Sequence, residues 1–309
     1  MSLGPFQPHA RDLAPGDYSV LEAPWEAFTV ASLRCGTAND FDEVFRRLWR
    51  EFGERGEMER REVIEDRLSW DPRQPIRNQH LLYELIVVRR DGEIVAIRDH
   101  TAIVPAATLE GSGPARVVVH LSHVLVEPSM RGRGLASWLR ALPVETARRC
   151  LALARSARTG HAGIEAKQPG CDAGQPFITL VAEMEHDDGE TPVAGARLRS
   201  YAKAGFRLVD PEKIDYLQPD FRSASEIERS GLRPVPLCLV VRRVGREQEA
   251  AIPWEELRGS VDALQSMFAV HVRADHMVPL SPTTMPPPGR RIALLVPGEP
   301  GRAGVVRGE

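Results

Sequence analysis

The stretch with the most chemical content runs from Val124 to Ala136. An apolar strand passes through Glu127-Pro128-Ser129-Met130 into the turn Arg131-Gly132-Arg133-Gly134-Leu135-Ala136. Two glycines and a small residue within six positions let the backbone turn tightly and let a ligand approach its N–H groups without meeting side chains. Those N–H groups open at the start of a helix, where donors lack intrahelical partners and the dipole favours an anion. The chemistry this suits is the holding of a pyrophosphate. The turn lacks the Gly-Lys-Ser/Thr ending of a P-loop and the three-glycine spacing of a dinucleotide-binding turn. Further along, Arg199-Ser-Tyr-Ala-Lys-Ala-Gly-Phe206 sets Tyr201 near the end of a helix. Gly205 suits a left-handed cap there, and Phe206 can start the next strand.

The first stretch closely resembles the coenzyme A pyrophosphate loop of the GNAT N-acetyltransferase superfamily. The second resembles that superfamily's later Tyr-x-x-x-Gly-Phe motif, and the two occur in the family's order. The resemblance covers roughly residues 26–246. It implies an α/β (α+β) fold: a mixed, mostly antiparallel central sheet, splayed at the coenzyme site and flanked by helices. The implied element order is β-α-α-β-β-β-α-β-α-β-β.

Acetyl transfer from a thioester to an amine needs the donor held in line, a proton taken from the amine and a proton given to the departing thiolate. The resemblance assigns these tasks residue by residue, with acetyl-CoA as cosubstrate and no metal. The backbone of Val124, Leu125 and Val126 would pair with the pantetheine arm. The N–H groups of Arg131, Gly132, Arg133, Gly134, Leu135, Ala136 and Ser137 would wrap the pyrophosphate. Tyr201 would be the general acid, since a phenol with a pKa near 10 suits a leaving thiolate. Glu183, on the strand Ile178 to Glu185, would be the base, acting directly or through water. Glu185 shares its face by period-two alternation, and Glu127 is a third carboxylate near the loop. His120 and His123 read as structural residues before they read as bases. The family's asparagine seven positions before the tyrosine is replaced by Ala194, which removes one expected coenzyme contact.

The resemblance thus implies an acetyltransferase acting on a primary amine by direct attack in a ternary complex. The alternatives are a protein or peptide N-acyltransferase and a non-catalytic coenzyme A-binding sensor or scaffold. The run Glu183, Glu185, Asp187, Asp188 and Glu190 reads first as a solvated turn and second as an attraction for a cationic acceptor. The expected partner is a small-molecule or peptide amine, with a homodimer left open.

The elements that must position these residues are legible from pattern. The chain has 309 residues, enough for a sizeable core, and a net charge of −3, which gives no reason to expect nucleic acid or a membrane surface. Cys35, Cys150, Cys171 and Cys238 match no metal or disulfide spacing, so a reducing cytoplasm is expected. Residues 1–25 read as an extended leader. A first strand lies between Trp25 and Arg34. Asn39 or Asp40 caps a helix with Phe41, Val44, Phe45, Leu48 and Phe52 at helical spacing, and a second helix spans about Glu57 to Leu68. Asp91-Gly92 marks a hairpin between strands Leu81–Arg89 and Glu93–Val104, and Val117–Val126 delivers the loop. The helix after it carries Pro143, which either kinks or breaks it. Residues 156–176 read as a surface loop, Phe177–Met184 as a strand, 193–204 as a helix and Leu237–Val244 as the closing strand. Residues 247–309 read as a helix at 253–270 and a proline-rich tail.

Overall fold

The computed structural model describes residues 9–15, 25–33, 38–158, 175–187, 192–278, 281–282 and 289–298. The element order begins with β1 (Thr29–Leu33), α1 (Ala38–Glu51), α2 (Arg61–Arg67), β2 (Gln79–Arg90), β3 (Glu93–Pro105) and β4 (Arg116–Val126). After the loop come α3 (Leu135–Arg158), β5 (Phe177–Met184), α4 (Pro192–Lys203) and β6 (Arg207–Val209). The chain continues through β7 (Ile214–Gln218), α5 (Ala224–Ser230), β8 (Val235–Arg243), β9 (Ala251–Pro253), α6 (Trp254–Phe268), β10 (Ser281–Pro282) and β11 (Arg291–Leu295).

The main sheet runs β1-β2-β3-β4-β5-β8-β6-β11-β9, with β7 and β10 off this path. Among the described pairings β4–β5 is parallel and the others are antiparallel. This is the mixed, mostly antiparallel, open sheet that the resemblance implies. The β2–β3 hairpin turns at Asp91 and Gly92, with φ of 52° and 85°. Positive φ at both central residues matches the right-handed twist of the flanking strands.

Each face of the sheet is covered. One core packs Phe41, Val44 and Leu48 of α1, Ile64 of α2, and Leu257, Val261, Leu264 and Phe268 of α6 against alternate residues of the strands. The opposite face is covered by α3 and α4, through Val144, Ala147, Cys150, Leu198 and Tyr201. Leu135, Leu139 and Leu142 at the start of α3 pack on Ile86 and Val88 of β2. Pro143 does not break α3, which continues as a helix to Arg158.

Two regions differ from the sequence reading. Between β6 and β8 the chain inserts β7 and α5, the latter started by a capping box at Ser223 and Glu226. Beyond residue 246, β11 joins β6 and β9 in the main sheet, and α6 supplies a whole segment of one core. Arg243 of β8 ties α6 down through two 2.8 Å contacts to Glu256. The proline run at 286–288, the acidic residues Asp188 and Glu190, Cys35 and Cys171 lie outside the described residues. Among the described residues no helix is long and apolar enough to cross a membrane.

Candidate active site

The site begins with a defect in the sheet. Arg98 of β3 pairs with Val124, but His100 pairs with Leu121, so Asp99 alone faces Ser122 and His123. Two residues opposing one is a β-bulge, which bends the bulged strand. Pairing of β4 with β5 ends at Leu121 and Ala182, whereas β4 runs on to Val126. Past the bulge the two parallel strands part.

Asp99 holds this bulge. Its carboxylate accepts the backbone N–H of His123 at 2.7 Å, the His123 Nδ1–H at 3.0 Å and the Tyr83 hydroxyl at 2.9 Å. Both residues are buried. Burial favours the neutral form of each, yet the ion pair and its hydrogen bonds outweigh it. Asp99 is drawn down to about 2 and His123 raised to about 9. His123 also meets the carbonyl of Glu57 through Nε2 at 3.1 Å and packs on Phe52. These contacts tie β4 to β3 and to the backbone at Glu57.

The parted strands open a cleft of about 750 Å³. Its walls bring together Val124, Leu125, Val126, Arg131 and Ala136 of the loop region with Glu183 and Tyr201. On β4, residues 124–126 pair with β3 along one edge, and their other edge, which has no partner strand among the described residues, borders this space.

In the loop, Gly132 and Gly134 have φ of 76° and 82°, a conformation that costs an L-residue about 1–2 kcal/mol. Arg131 Nε donates to the carbonyl of Val126 at 3.0 Å and so latches the turn to the strand. The N–H of Arg131 is used on Pro128 and that of Ser137 on Gly134. These two of the seven expected pyrophosphate donors are therefore spent on the turn itself. The N–H groups of Gly132, Gly134, Leu135 and Ala136 have no backbone acceptor among the described residues. Open donors at the start of a long helix are the features an anion site needs.

Tyr201 sits in the last turn of α4. Gly205 closes that helix at φ of 77°, and the Phe206 N–H returns to the Tyr201 carbonyl at 3.1 Å. The Phe206 ring meets the Tyr201 ring edge-on, and the Arg140 guanidinium lies 5.8 Å from the Tyr201 ring centroid. The ring belongs to the core packed by α3 and α4, although the residue lines the cleft.

Glu183 stands on the other face of the sheet and is not a surface carboxylate. Its side chain is 5% exposed. It accepts hydrogen bonds from His120 Nε2 at 2.9 Å, Gln218 Nε2 at 3.1 Å and the Tyr216 hydroxyl. Burial opposes its charge, but the bonds and charge from His120, with those from Tyr216 and Gln218, hold its pKa below the usual value. An ionised Glu183 fixes the proton on His120 Nε2. Nδ1 is left as an acceptor, 3.2 Å from the Ser122 hydroxyl. Glu183 thus orients the His120 ring.

Glu127 is held at 2.9 Å by Arg47. Ala194 is buried, so no polar contact replaces the family's asparagine there. The cleft lining also carries Glu51, Glu57, Glu59 and Glu185 together with Arg55, Arg131, Arg140 and Arg197, and Glu59 is buried against Arg67. Burial raises the pKa of Glu57, and the charge of Glu185 raises it further, while Arg55 pulls it down. Tyr216 and Gln218, which complete the Glu183 network, come from β7, a strand the sequence reading did not include. The polar run Arg98-Asp99-His100 inside an apolar strand was a readable sign of a special position.

No protein-family model and no curated protein matches the chain. Solved structures do match. One is a GCN5-related glucosamine N-acetyltransferase region of a fungal multi-domain GH3 β-N-acetylglucosaminidase, at 18% identity and TM-score 0.39, covering 67% of this chain and 20% of that one. Another is an acetyltransferase of the GNAT family from Streptococcus pneumoniae, at 14% identity and TM-score 0.34, covering 70% and 99%. A third is a GNAT family acetyltransferase from Elizabethkingia anophelis with acetyl-CoA bound, at 12% identity and TM-score 0.31, covering 71% and 99%. These values are too low to bear weight. The functional reading rests on the chain's own topology and cleft.

Proposed function

We propose that this chain is a GNAT-superfamily acetyltransferase that moves the acetyl group of acetyl-CoA to a primary amine by direct attack. The observation that carries the reading is one cleft lined by Arg131 and Ala136 of the turn, by Val124, Leu125 and Val126 of β4, by Tyr201, and by the His120–Glu183 pair. The loop fits the coenzyme, because its open N–H groups and helix start suit a pyrophosphate. The β4 edge offers backbone groups to an amide-containing arm.

His120 would take the amine proton at Nδ1, directly or through the Ser122 hydroxyl, with Glu183 stabilising the imidazolium. The amine nitrogen would form its bond to the acetyl carbon as the C–S bond breaks. Tyr201 would give its proton to the sulfur. A cytoplasmic setting fits the unpaired, buried Cys150 and Cys238.

The test is free-thiol release from acetyl-CoA against a panel of diamines, aminoglycosides and basic peptides. Release with at least one of them is expected. Tight coenzyme binding with no release against any would favour the sensor or scaffold alternative.

A further inference from the structure

Gln218 of β7 is buried, lines the cleft and carries a hydrogen-bonding group that the protein leaves unused. Its Nε2 donates to Glu183 at 3.1 Å, on the same carboxylate oxygen that receives His120 Nε2 at 2.9 Å. An ionised carboxylate only accepts, so the amide nitrogen faces Glu183 and the carbonyl is the atom left over. That carbonyl oxygen, Oε1, has no hydrogen-bond partner among the described residues. A buried carbonyl without a donor costs stability, and each such group in a folded protein calls for an explanation.

The surroundings say what kind of molecule would bring the donor. Gln218 pairs with Val235 across β7 and β8, and Leu237 pairs with Tyr216 two residues back along β7. Val235 and Leu237 are half-buried in the cleft wall. The Phe268 ring meets the His120 ring edge-on at 5.2 Å and the Phe221 ring at 5.5 Å, so aromatic surface continues from His120 to Phe221, which also lines the cleft. Charge selects little here. Glu51 and Glu57 stand 3.4 and 3.9 Å from Arg55, and Glu185 stands 3.5 Å from Arg197. Glu59 is buried against Arg67, and Glu183 is taken up by its three donors. Each carboxylate of the lining has a partner, and none is reserved for a cationic ligand.

We propose that Gln218 is a specificity residue of the acceptor site, its Oε1 accepting a hydrogen bond from a neutral N–H or O–H group on an acceptor with an apolar body. The class is a monoamine with an aromatic or aliphatic body and one further donor, such as an α-amino amide, and not a polyamine or an aminoglycoside. Glu183 then orients two groups at once, the His120 ring and the Gln218 amide. The inference rests on the acetyltransferase reading above and names the acceptor class for that site.

The test uses two probes that share an amine and an apolar body and differ in one donor: phenylalaninamide and phenylalanine methyl ester. Full-length parent and Gln218→Met proteins are assayed with acetyl-CoA by thiol release, with 1,4-diaminobutane as the polyamine control. In the parent, kcat/KM should favour the amide over the ester by about tenfold, the size of one hydrogen bond, and the diamine should be the poorest of the three. In Gln218→Met that ratio should fall toward one. The variant also loses the bond to Glu183, so its absolute turnover drops, but the ratio within one protein is free of that loss. Calorimetry of both probes on the coenzyme A complex of the parent should show the same preference without turnover.

Equal kcat/KM or equal affinity for the two probes in the parent overturns the inference, whatever the variant does. A preference that Gln218→Met keeps assigns the recognition to other groups and also refutes it. Release with the diamine but with neither phenylalanine probe overturns the inference alone. Release with none of these, nor with any other amine, overturns the acetyltransferase reading as well.

Discussion

The bulge lock at Asp99 makes the sharpest quantitative prediction. His123 is raised from 6.5 to about 9 in the folded protein. At about 1.4 kcal/mol per unit, the protonated ring is favoured by about 3 kcal/mol in the native state. Asp99, drawn down to about 2, reports the same contact from the other side, so the two shifts are not added. His123 has a raised folded pKa. Its contribution is therefore complete below the unfolded value near 6.5 and is lost as pH climbs through about 9. Asp99 has a depressed folded pKa. Its contribution is present above about 3.8 and is lost as pH falls toward about 2. The pair stabilises most between about pH 4 and pH 6.5.

Asp99→Asn keeps the shape and removes the charge. By urea denaturation at pH 6 the variant should lose about 3 kcal/mol, within the range expected when one member of a buried pair is removed. The deficit should shrink as pH rises above 9, where the parent's own His123 is neutral. Coenzyme affinity should fall with it, because the carboxylate holds the bulge that parts β4 from β5. A deficit under about 1 kcal/mol at pH 6, or one that is the same at pH 6 and pH 9.5, would refute the reasoning.

Tyr201→Phe should lower kcat by about 10²-fold or more with little change in KM for acetyl-CoA, since the role proposed for the hydroxyl comes only as the C–S bond breaks. Turnover at the parent rate across pH 6–9 would make the tyrosine structural. Glu183→Gln places an amide donor against the donors of His120 and Gln218 and no longer fixes the His120 proton. It should cut kcat by about 10²-fold or more and shift the acidic limb of the pH–rate profile, and an unmoved limb would remove the pair from the mechanism. Burial raises the thiol of Cys238 to about 12 and pushes Cys150 up as well. Both should resist iodoacetamide in the native protein at pH 8 and react in urea, as read by peptide mass. Native labelling of Cys150 would mean that α3 does not pack on the sheet as described.

The loop and the tyrosine helix were legible because their chemistry is local. Glycine spacing dictates a turn, and a glycine after a helix dictates its cap. Both appear where the pattern puts them. Asp91-Gly92 was legible for the same reason. The environment of Glu183 was not, because its partners His120, Tyr216 and Gln218 come from β4 and β7, and alternation along one strand says nothing about them. The same holds for the bulge. Asp99 and His123 are 24 residues apart, and although the polar run Arg98-Asp99-His100 marks a special position, it does not give the register slip that joins them. The roles of β11 and α6 were missed because strand pairing across long separations leaves only short apolar runs, such as Arg291–Leu295, which resemble an ordinary tail.

The central claim is that the turn after β4 holds the coenzyme's pyrophosphate, and calorimetry of acetyl-CoA on the parent and Gly134→Val tests it most directly. At φ of 82° a β-branched side chain is strained before any ligand arrives, so thermal midpoints must be taken with the affinities. The expected result is clear binding to the parent and loss of binding in a variant that still unfolds cooperatively. Unchanged affinity in the folded variant would contradict the assignment of the loop.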